Sequence, residues 1–384
     1  MQERIPAVYM RGGTSKAIFF HENHLPKDPV IRNRVIMAAY GSPDPNKQQV
    51  DGMGGATSST SKVAIISSSK DPYYDVNYNF GQVSINKSTI GTQGNCGNIS
   101  SAVGPFAIDE GMVYAEEPIT QVRIYQVNTR KLILADVPVK NGVYNDEGDY
   151  AIDGIPGTGG KITLHFVDPG GSVTGRLLPT SHVKDMIEVP DIGTINISIV
   201  DAANPVIFVR AENLGLRGTE IYEIDGNSEI MKKFEAIRSR GAVMLGMASS
   251  PEEASEISQD VPKVAFVSKA RDYMTVTGNI IQKSAIDIVS RIISMEILHK
   301  TYAVTGAICT AGAAKIEGTI VNEMLIDSAY KAKEVRLGHP GGVITIGVAM
   351  EKKGEEFAYK EALVNRTARR LMDGYVYVPR KHFR

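Results

Sequence analysis

The stretch Ser61-Lys62-Val63-Ala64-Ile65-Ile66-Ser67 returns 201 residues later as Pro262-Lys263-Val264-Ala265-Phe266-Val267-Ser268. Both copies carry a lysine in second place and run through a short apolar block to a serine, as a buried strand would. Two shorter matches follow in the same order. Gly94-Asn95-Cys96-Gly97-Asn98 aligns with Ala307-Ile308-Cys309-Thr310-Ala311 through its cysteine alone, and Val122-Arg123-Ile124 aligns with Val335-Arg336-Leu337, both at an offset of 213. An ordered series of matches points to a duplicated unit. Each half then reads strand, turn, strand, helix, strand carrying Lys-Val-Ala, more strands, a cysteine-led helix and a closing hairpin.

Between the halves, Lys184-Asp185-Met186 leads into Val189-Pro190-Asp191-Ile192-Gly193, where proline and glycine punctuate a linker. The expected domains are residues 1–186 and 187–384, with the last strand free to return to the first. Other β-branched runs, Val122 to Tyr125, Ile195 to Val200 and Val343 to Ile346, read as strands. Apolar residues at three- and four-residue spacing predict helices over Val30 to Tyr40, Glu229 to Arg240 and Asp287 to His299. The fold class is α+β.

With 384 residues, 42% hydrophobic and 22% charged, the chain is long enough for two cores and has the balance of an ordinary globular protein. Its net charge of −1 gives no field that would draw it to nucleic acid or an anionic membrane, so a small-molecule partner is expected. No stretch reaches the ~18 apolar residues of a membrane span, and Met1 to Pro6 lacks a signal-peptide run, so a cytoplasmic setting is expected. Two cysteines and seven scattered histidines, without His-x-x-x-His or Cys-x-x-Cys spacing, predict neither a disulfide framework nor a metal site. A homodimer is the default assembly.

Candidate chemistry lies where polar, glycine-rich segments meet apolar ones. Gly94 and Gly97 bracket Cys96, and Ile99, Val103 and Phe106 mark the buried side of a following helix. A thiol at a helix start is suited to proton transfer, with Asn95, Gly97 and Asn98 as substrate contacts beside it; the alternative is a packed, inert cysteine. Cys309, with Thr310, offers a second such site, or is simply packed among Ala307, Ile308 and Ala311. Lys62 follows the polar loop Asp51 to Ser61 and opens an apolar strand, which suits a partly desolvated proton carrier or carboxylate ligand as well as an ordinary surface lysine. The loop has neither phosphate-binding glycine spacing. Thr14, Ser15 and Lys16, after Gly12-Gly13, can hold a carboxylate or make a tight turn, and Asn204 occupies the matching turn of the second half. His339, in Gly338-His339-Pro340-Gly341-Gly342, is a weaker candidate.

At these residues the sequence resembles the PrpF family, the group that includes 2-methylaconitate isomerase, 3-methylitaconate Δ-isomerase and 4-oxalomesaconate tautomerase. The resemblance covers nearly the whole chain. It is carried by Met10 to Lys16, the Asp51 to Lys62 loop, Gly94 to Ser100, Thr174-Gly175-Arg176-Leu177-Leu178-Pro179-Thr180, Gly338 to Gly342, and Arg366-Thr367-Ala368-Arg369-Arg370-Leu371-Met372. It implies a diaminopimelate-epimerase-like fold of two pseudo-symmetric domains, each a curved sheet around a central helix, with the active site between them. It also implies proton transfer without metal or organic cofactor on a small unsaturated di- or tricarboxylic acid, with Lys62 and Cys96 as the catalytic pair. The family's remote epimerase relatives place a second cysteine at Cys309. A two-cysteine racemase or epimerase, and a non-catalytic binding protein of the same fold, are the alternatives.

Overall fold

Each half is built on the strand that carries Lys-Val-Ala. In this computed structural model, which describes residues 1–224, 226–295, 297–354 and 356–384, the chain forms two compact units. The first comprises Met1–His165 and Asn365–Arg384, the second Phe166–Val364. The sequence reading divides the chain at 186/187, whereas these units divide at 165/166, and the last strand belongs to the first unit.

The first unit runs β1 (Gln2–Gly12), β2 (Ser15–His21), α1 (Pro29–Tyr40), β3 (Lys62–Ser68), β4 (Val76–Val83), β5 (Ile90–Gly91), α2 (Gly97–Asp109), β6 (Ile119–Gln126), β7 (Lys131–Lys140), β8 (Val143–Tyr144) and into β9 (Ile162–Val167). The second runs β10 (Asp185–Val189), β11 (Gly193–Ala202), β12 (Asn204–Arg210), α3 (Ser228–Met244), α4 (Pro251–Ile257), β13 (Lys263–Ser268), β14 (Tyr273–Met274), β15 (Ile280–Ile281), β16 (Ile288–Ser294), β17 (Ile297–Leu298), α5 (Val304–Ala314), α6 (Ile320–Met324), β18 (Glu334–His339), β19 (Gly342–Lys353) and β20 (Glu356–Arg366). The closing strand β21 (Ala368–Pro379) pairs with β1.

Within the first unit, β1 and β2 are antiparallel, β2 and β3 parallel, β3 and β4 antiparallel, β4 and β6 parallel, β6 and β7 antiparallel. The second unit repeats this with β11, β12, β13, β16, β18 and β19. Even the register agrees. Ala17 and Ile18 oppose Lys62 and Val63, as Val206 and Ile207 oppose Lys263 and Val264. The same brace closes the parallel β4–β6 and β16–β18 pairs: Arg123 grips Asp75 with its backbone N–H (2.7 Å) and Nη2 (2.6 Å), and Arg336 grips Asp287 at the same distances.

A helix covers one face of each sheet. In the first unit Val35, Ile36, Ala39 and Tyr40 of α1 pack on Ile18, Phe20, Val63 and Ile65. In the second, Ile230, Phe234 and Ile237 of α3 pack on Ile199, Ile207, Val264 and Phe266. Each valine, isoleucine or phenylalanine among them contributes roughly 1.5–3 kcal/mol by leaving water. Asp28 caps α1 by accepting from the Val30 (2.8 Å) and Ile31 (3.0 Å) amides, Pro29 starts it, and Gly41 ends it in the left-handed conformation.

The other face of each sheet wraps a buried central helix. Gly97 through Ile108 of α2 and all of α5 are buried, so the one-sided helix expected after Cys96 is instead enclosed all round. Gly104 makes this possible, since a Cβ there would lie 2.7 Å from Val137 Cγ2.

One predicted helix is a strand. Asp287 to His299 folds as β16 and β17, with every residue from Ile288 to Ile293 buried. A segment buried on both faces, its Ser290 and Arg291 included, satisfies helical spacing by accident, and its β-branched residues favour the strand. Among the described residues no helix is long and apolar enough to cross a membrane.

Candidate active site

The tip of the β1–β2 hairpin rests on the start of α2. A Cβ on Gly12 would stand 2.5 Å from the Asn98 carbonyl oxygen, and one on Gly13, whose φ is +49°, 2.2 Å from Asn98 Oδ1. Only glycine allows that approach. The Thr14 amide then donates to Asn98 Oδ1 (3.3 Å), and the Gly13 amide to the Thr367 carbonyl (3.0 Å). Arg11 Nη1 pins the turn from outside through the Gly13 and Thr367 carbonyls, both at 3.0 Å. Ser15 is buried in the turn, and its Oγ has no hydrogen-bond partner among the described residues. The Lys16 amide donates to the Ser59 carbonyl (2.9 Å), tying the hairpin to the polar loop before β3.

Cys96 is the residue immediately before α2, in extended conformation, and its own side chain makes no capping hydrogen bond. Asn95, Cys96, Gly97 and Asn98 are all buried. The Cys96 carbonyl accepts from the amide (2.9 Å) and hydroxyl (3.1 Å) of Ser100. A helix start offers its first N–H groups to an anion.

Lys62, 8% exposed, donates from Nζ to Gln82 Oε1 at 2.5 Å and lies 5.4 Å from the centre of the Phe80 ring. Gln82 faces it directly across the β3–β4 ladder and is itself oriented by donating to the carbonyls of Ser61 (3.0 Å) and Ser58 (3.2 Å). Behind it, Tyr40 donates to the Lys62 carbonyl and accepts from the Ile18 amide (2.9 Å). The ammonium is thus held by a neutral amide rather than a carboxylate, leaving its charge available to an anionic ligand.

Sequence reasoning missed the strand that brings these groups together. Tyr78, Phe80 and Gln82 alternate along one face of β4. Burial pushes the Tyr78 phenol well above its ordinary pKa, and Cys96 lies close enough to add to that rise. One face of β4 therefore reaches both Lys62 and Cys96. The available signal was Gln82 falling in phase with two aromatic residues.

The second unit departs from the repeat at its helix. Cys309 was expected at a helix start, but α5 begins at Val304 after Ala303, which places Cys309 inside it. Ala303 therefore stands where the first unit has Cys96, because a match resting on one shared residue could slide along the helix. The Cys309 thiol is fully buried, sits 3.1 Å from the Val200 carbonyl, and is pushed far up by burial, with Asp201 adding to the effect. The Thr310 hydroxyl is engaged by the Gly306 carbonyl (2.8 Å) and Tyr302 (3.1 Å). Asn204 donates to Thr305 Oγ1 (3.1 Å), the counterpart of the Thr14–Asn98 contact. His339 is buried, with Nδ1 accepting from the Gly341 amide at 3.1 Å. Lys263, the match of Lys62, donates to the Asp260 carbonyl at 2.5 Å. Among the described residues no group of three or more His, Cys, Asp or Glu side chains could hold a metal.

The profile of the PrpF protein family matches residues 2–379. This chain belongs to the PrpF family. It is 48% identical to the 3-methylitaconate isomerase of Eubacterium barkeri over 379 residues, 98% of either chain. It is 41% identical to the 2-methyl-aconitate isomerase of Cupriavidus necator over 390 residues, again 98% of each. A crystal structure of methylitaconate-delta-isomerase, 46% identical, superposes with a TM-score of 0.78 over 100% of this chain and 97% of that one. A hydroxyproline epimerase from Agrobacterium vitis, 14% identical with a TM-score of 0.54 over 97% of this chain and 92% of that one, shares the fold alone. The mixed α/β architecture is that of the PrpF family, and this PrpF chain is an enzyme of the isomerase class.

Proposed function

We propose that this PrpF chain moves a carbon–carbon double bond in a small unsaturated polycarboxylic acid of the methylitaconate or methylaconitate type by a 1,3-proton shift, without a cofactor, and that Lys62 and Cys96 carry the proton. The observation that carries this reading is the β4 face: Gln82 holds a buried lysine with no carboxylate, and Tyr78 on the same face borders the cysteine that stands at the start of α2.

One member of the pair meets the substrate without its proton and removes one from the carbon beside the C=C bond. The C–H electron pair forms the new double bond as the electrons of the old one move toward the far allylic carbon, the charge spreading into the conjugated carboxylate as a dienolate. The other member then delivers a proton to the far allylic carbon. Atoms and electrons balance without an oxidant or reductant. The dienolate's charge is met by the Lys62 side chain and the N–H groups at the start of α2. Carboxylates of the substrate would take the remaining donors, Thr14, Ser15, Lys16, Asn95, Gly97 and Asn98. Cys309, Thr310 and Asn204 are engaged inside their own unit, which lends no support to a two-cysteine epimerase. Two free, buried thiols fit a reducing, cytoplasmic setting.

Proton NMR in D₂O with methylitaconate, methylaconitate and oxalomesaconate supplied in turn tests the proposal. Isomerisation of at least one acid, with deuterium entering a single carbon of the product, is expected. Recovery of all three unchanged contradicts it.

A further inference from the structure

Arg366 ends β20 beside the Gly12-Gly13 turn. It is 7% exposed, and its Cδ lies 3.1 Å from where a Cβ on Gly13 would stand, the same point that is 2.2 Å from Asn98 Oδ1. The side chain therefore reaches the junction of the hairpin with the start of α2. Its Nη1 donates to the neighbouring Asn365 carbonyl (2.9 Å), while its buried Nε has no hydrogen-bond partner among the described residues. Burial lowers its pKa to about 10, against the pull of Tyr150 and Asp153, so the guanidinium is charged at neutral pH.

Another buried arginine shows what a purely structural guanidinium looks like in this protein. Arg291 spends Nη1 on the Ser290 and Gly338 carbonyls (both 3.1 Å), turns Nε to the Glu220 carbonyl (3.4 Å), and stacks 4.7 Å from the centre of the Tyr273 ring. Its donors are occupied. Arg366 lacks that saturation, in the same turn where buried Ser15 Oγ also lacks a partner. A buried cation with an open donor is costly unless an anion completes it.

We infer that Arg366 is a substrate-binding residue, anchoring one carboxylate of the polycarboxylic acid at the start of α2 with Ser15 as the second donor. A guanidinium fork matches the two oxygens of a carboxylate, and Arg11 and Lys16 on the adjoining strands add positive charge to that turn. This deepens the proposed function and takes its ligand class from that reading.

The test is calorimetric binding of propane-1,2,3-tricarboxylate, which has no double bond to move, to the whole protein and to Arg366→Met and Arg366→Lys. Arg366→Met should weaken binding by about tenfold or more, with Arg366→Lys between it and the parent. In turnover, KM should rise by a similar factor while kcat changes less than about threefold. Without ligand, Arg366→Met should melt no lower than the parent, since it removes an uncompensated charge. A folded Arg366→Met that binds as the parent does, a parent that does not bind, or loss of the fold in both variants overturns the inference. If the parent binds through Arg366 yet isomerises none of the acids, the isomerase proposal falls and the carboxylate anchor stands.

Discussion

Lys62 Nζ and Gln82 Oε1 meet at 2.5 Å from positions directly opposite each other on β3 and β4. The amide fixes where the ammonium points without neutralising it. Gln82→Met keeps the side-chain volume and removes the acceptor, so kcat should fall roughly 10- to 100-fold through lost positioning, with a smaller change in KM. Gln82→Glu should also be impaired, because a full counter-charge would tie up the ammonium. Steady-state kinetics on variants shown to be folded by circular dichroism separate the two effects.

Gly13→Ala probes the seat of the hairpin on α2. The new methyl would meet Asn98 Oδ1 at 2.2 Å, in a backbone conformation with φ at +49°. A loss of about 2–3 kcal/mol in urea unfolding is expected, together with reduced kcat/KM as the Thr14–Asn98 contact opens. A variant as stable as the parent would show that the turn can lift from the helix freely.

Cys309→Ser should leave turnover within about threefold of the parent, because a hydroxyl can replace the thiol's contact with the Val200 carbonyl. Cys309→Ala should lose about 1–2 kcal/mol of stability for the same reason and through its small cavity. Loss of activity in a folded Cys309→Ser protein would favour a two-cysteine mechanism.

Acid stability should carry the signature of Glu110. Burial works to raise its pKa, but hydrogen bonds from His21 (2.9 Å) and Arg370 (2.7 Å) offset it and hold the carboxyl below its ordinary value. A carboxyl with a lowered folded pKa contributes its stability above the unfolded pKa, about 4.3, and loses it as pH falls through the folded value. Glu110→Gln should therefore cost up to about 1 kcal/mol near pH 7 and nothing further once the parent's carboxyl is protonated. Urea midpoints measured from pH 7 down to pH 3 should converge; a constant gap would assign the pair no role in acid stability.

Much of the fold was legible because short buried strands repeat their chemistry. Lys62 and Lys263 head equivalent strands, and the Val-Arg match at Arg123 and Arg336 marks the twin braces on Asp75 and Asp287. The cysteine match misled because it rests on a single residue and Cys309 lies inside α5 rather than before it, and Asp287 to His299 misled because a doubly buried strand has no solvent face to reveal its period. Lys62 and Cys96 stood out as polar groups among glycines and hydroxyls. Their surroundings did not, since Gln82 reaches Lys62 through ladder pairing and the Gly12-Gly13 turn reaches the start of α2 through tertiary packing, neither of which a local window contains.

The two-residue proton relay is tested most directly by following methylitaconate in D₂O by proton NMR with the parent, Lys62→Ala and Cys96→Ala. The relay predicts solvent deuterium in the parent's product and a fall in isomerisation of at least about 10³-fold in each folded variant, a size set by losing a general acid or base at the reacting carbon. Isomerisation near the parent rate in either variant would contradict it.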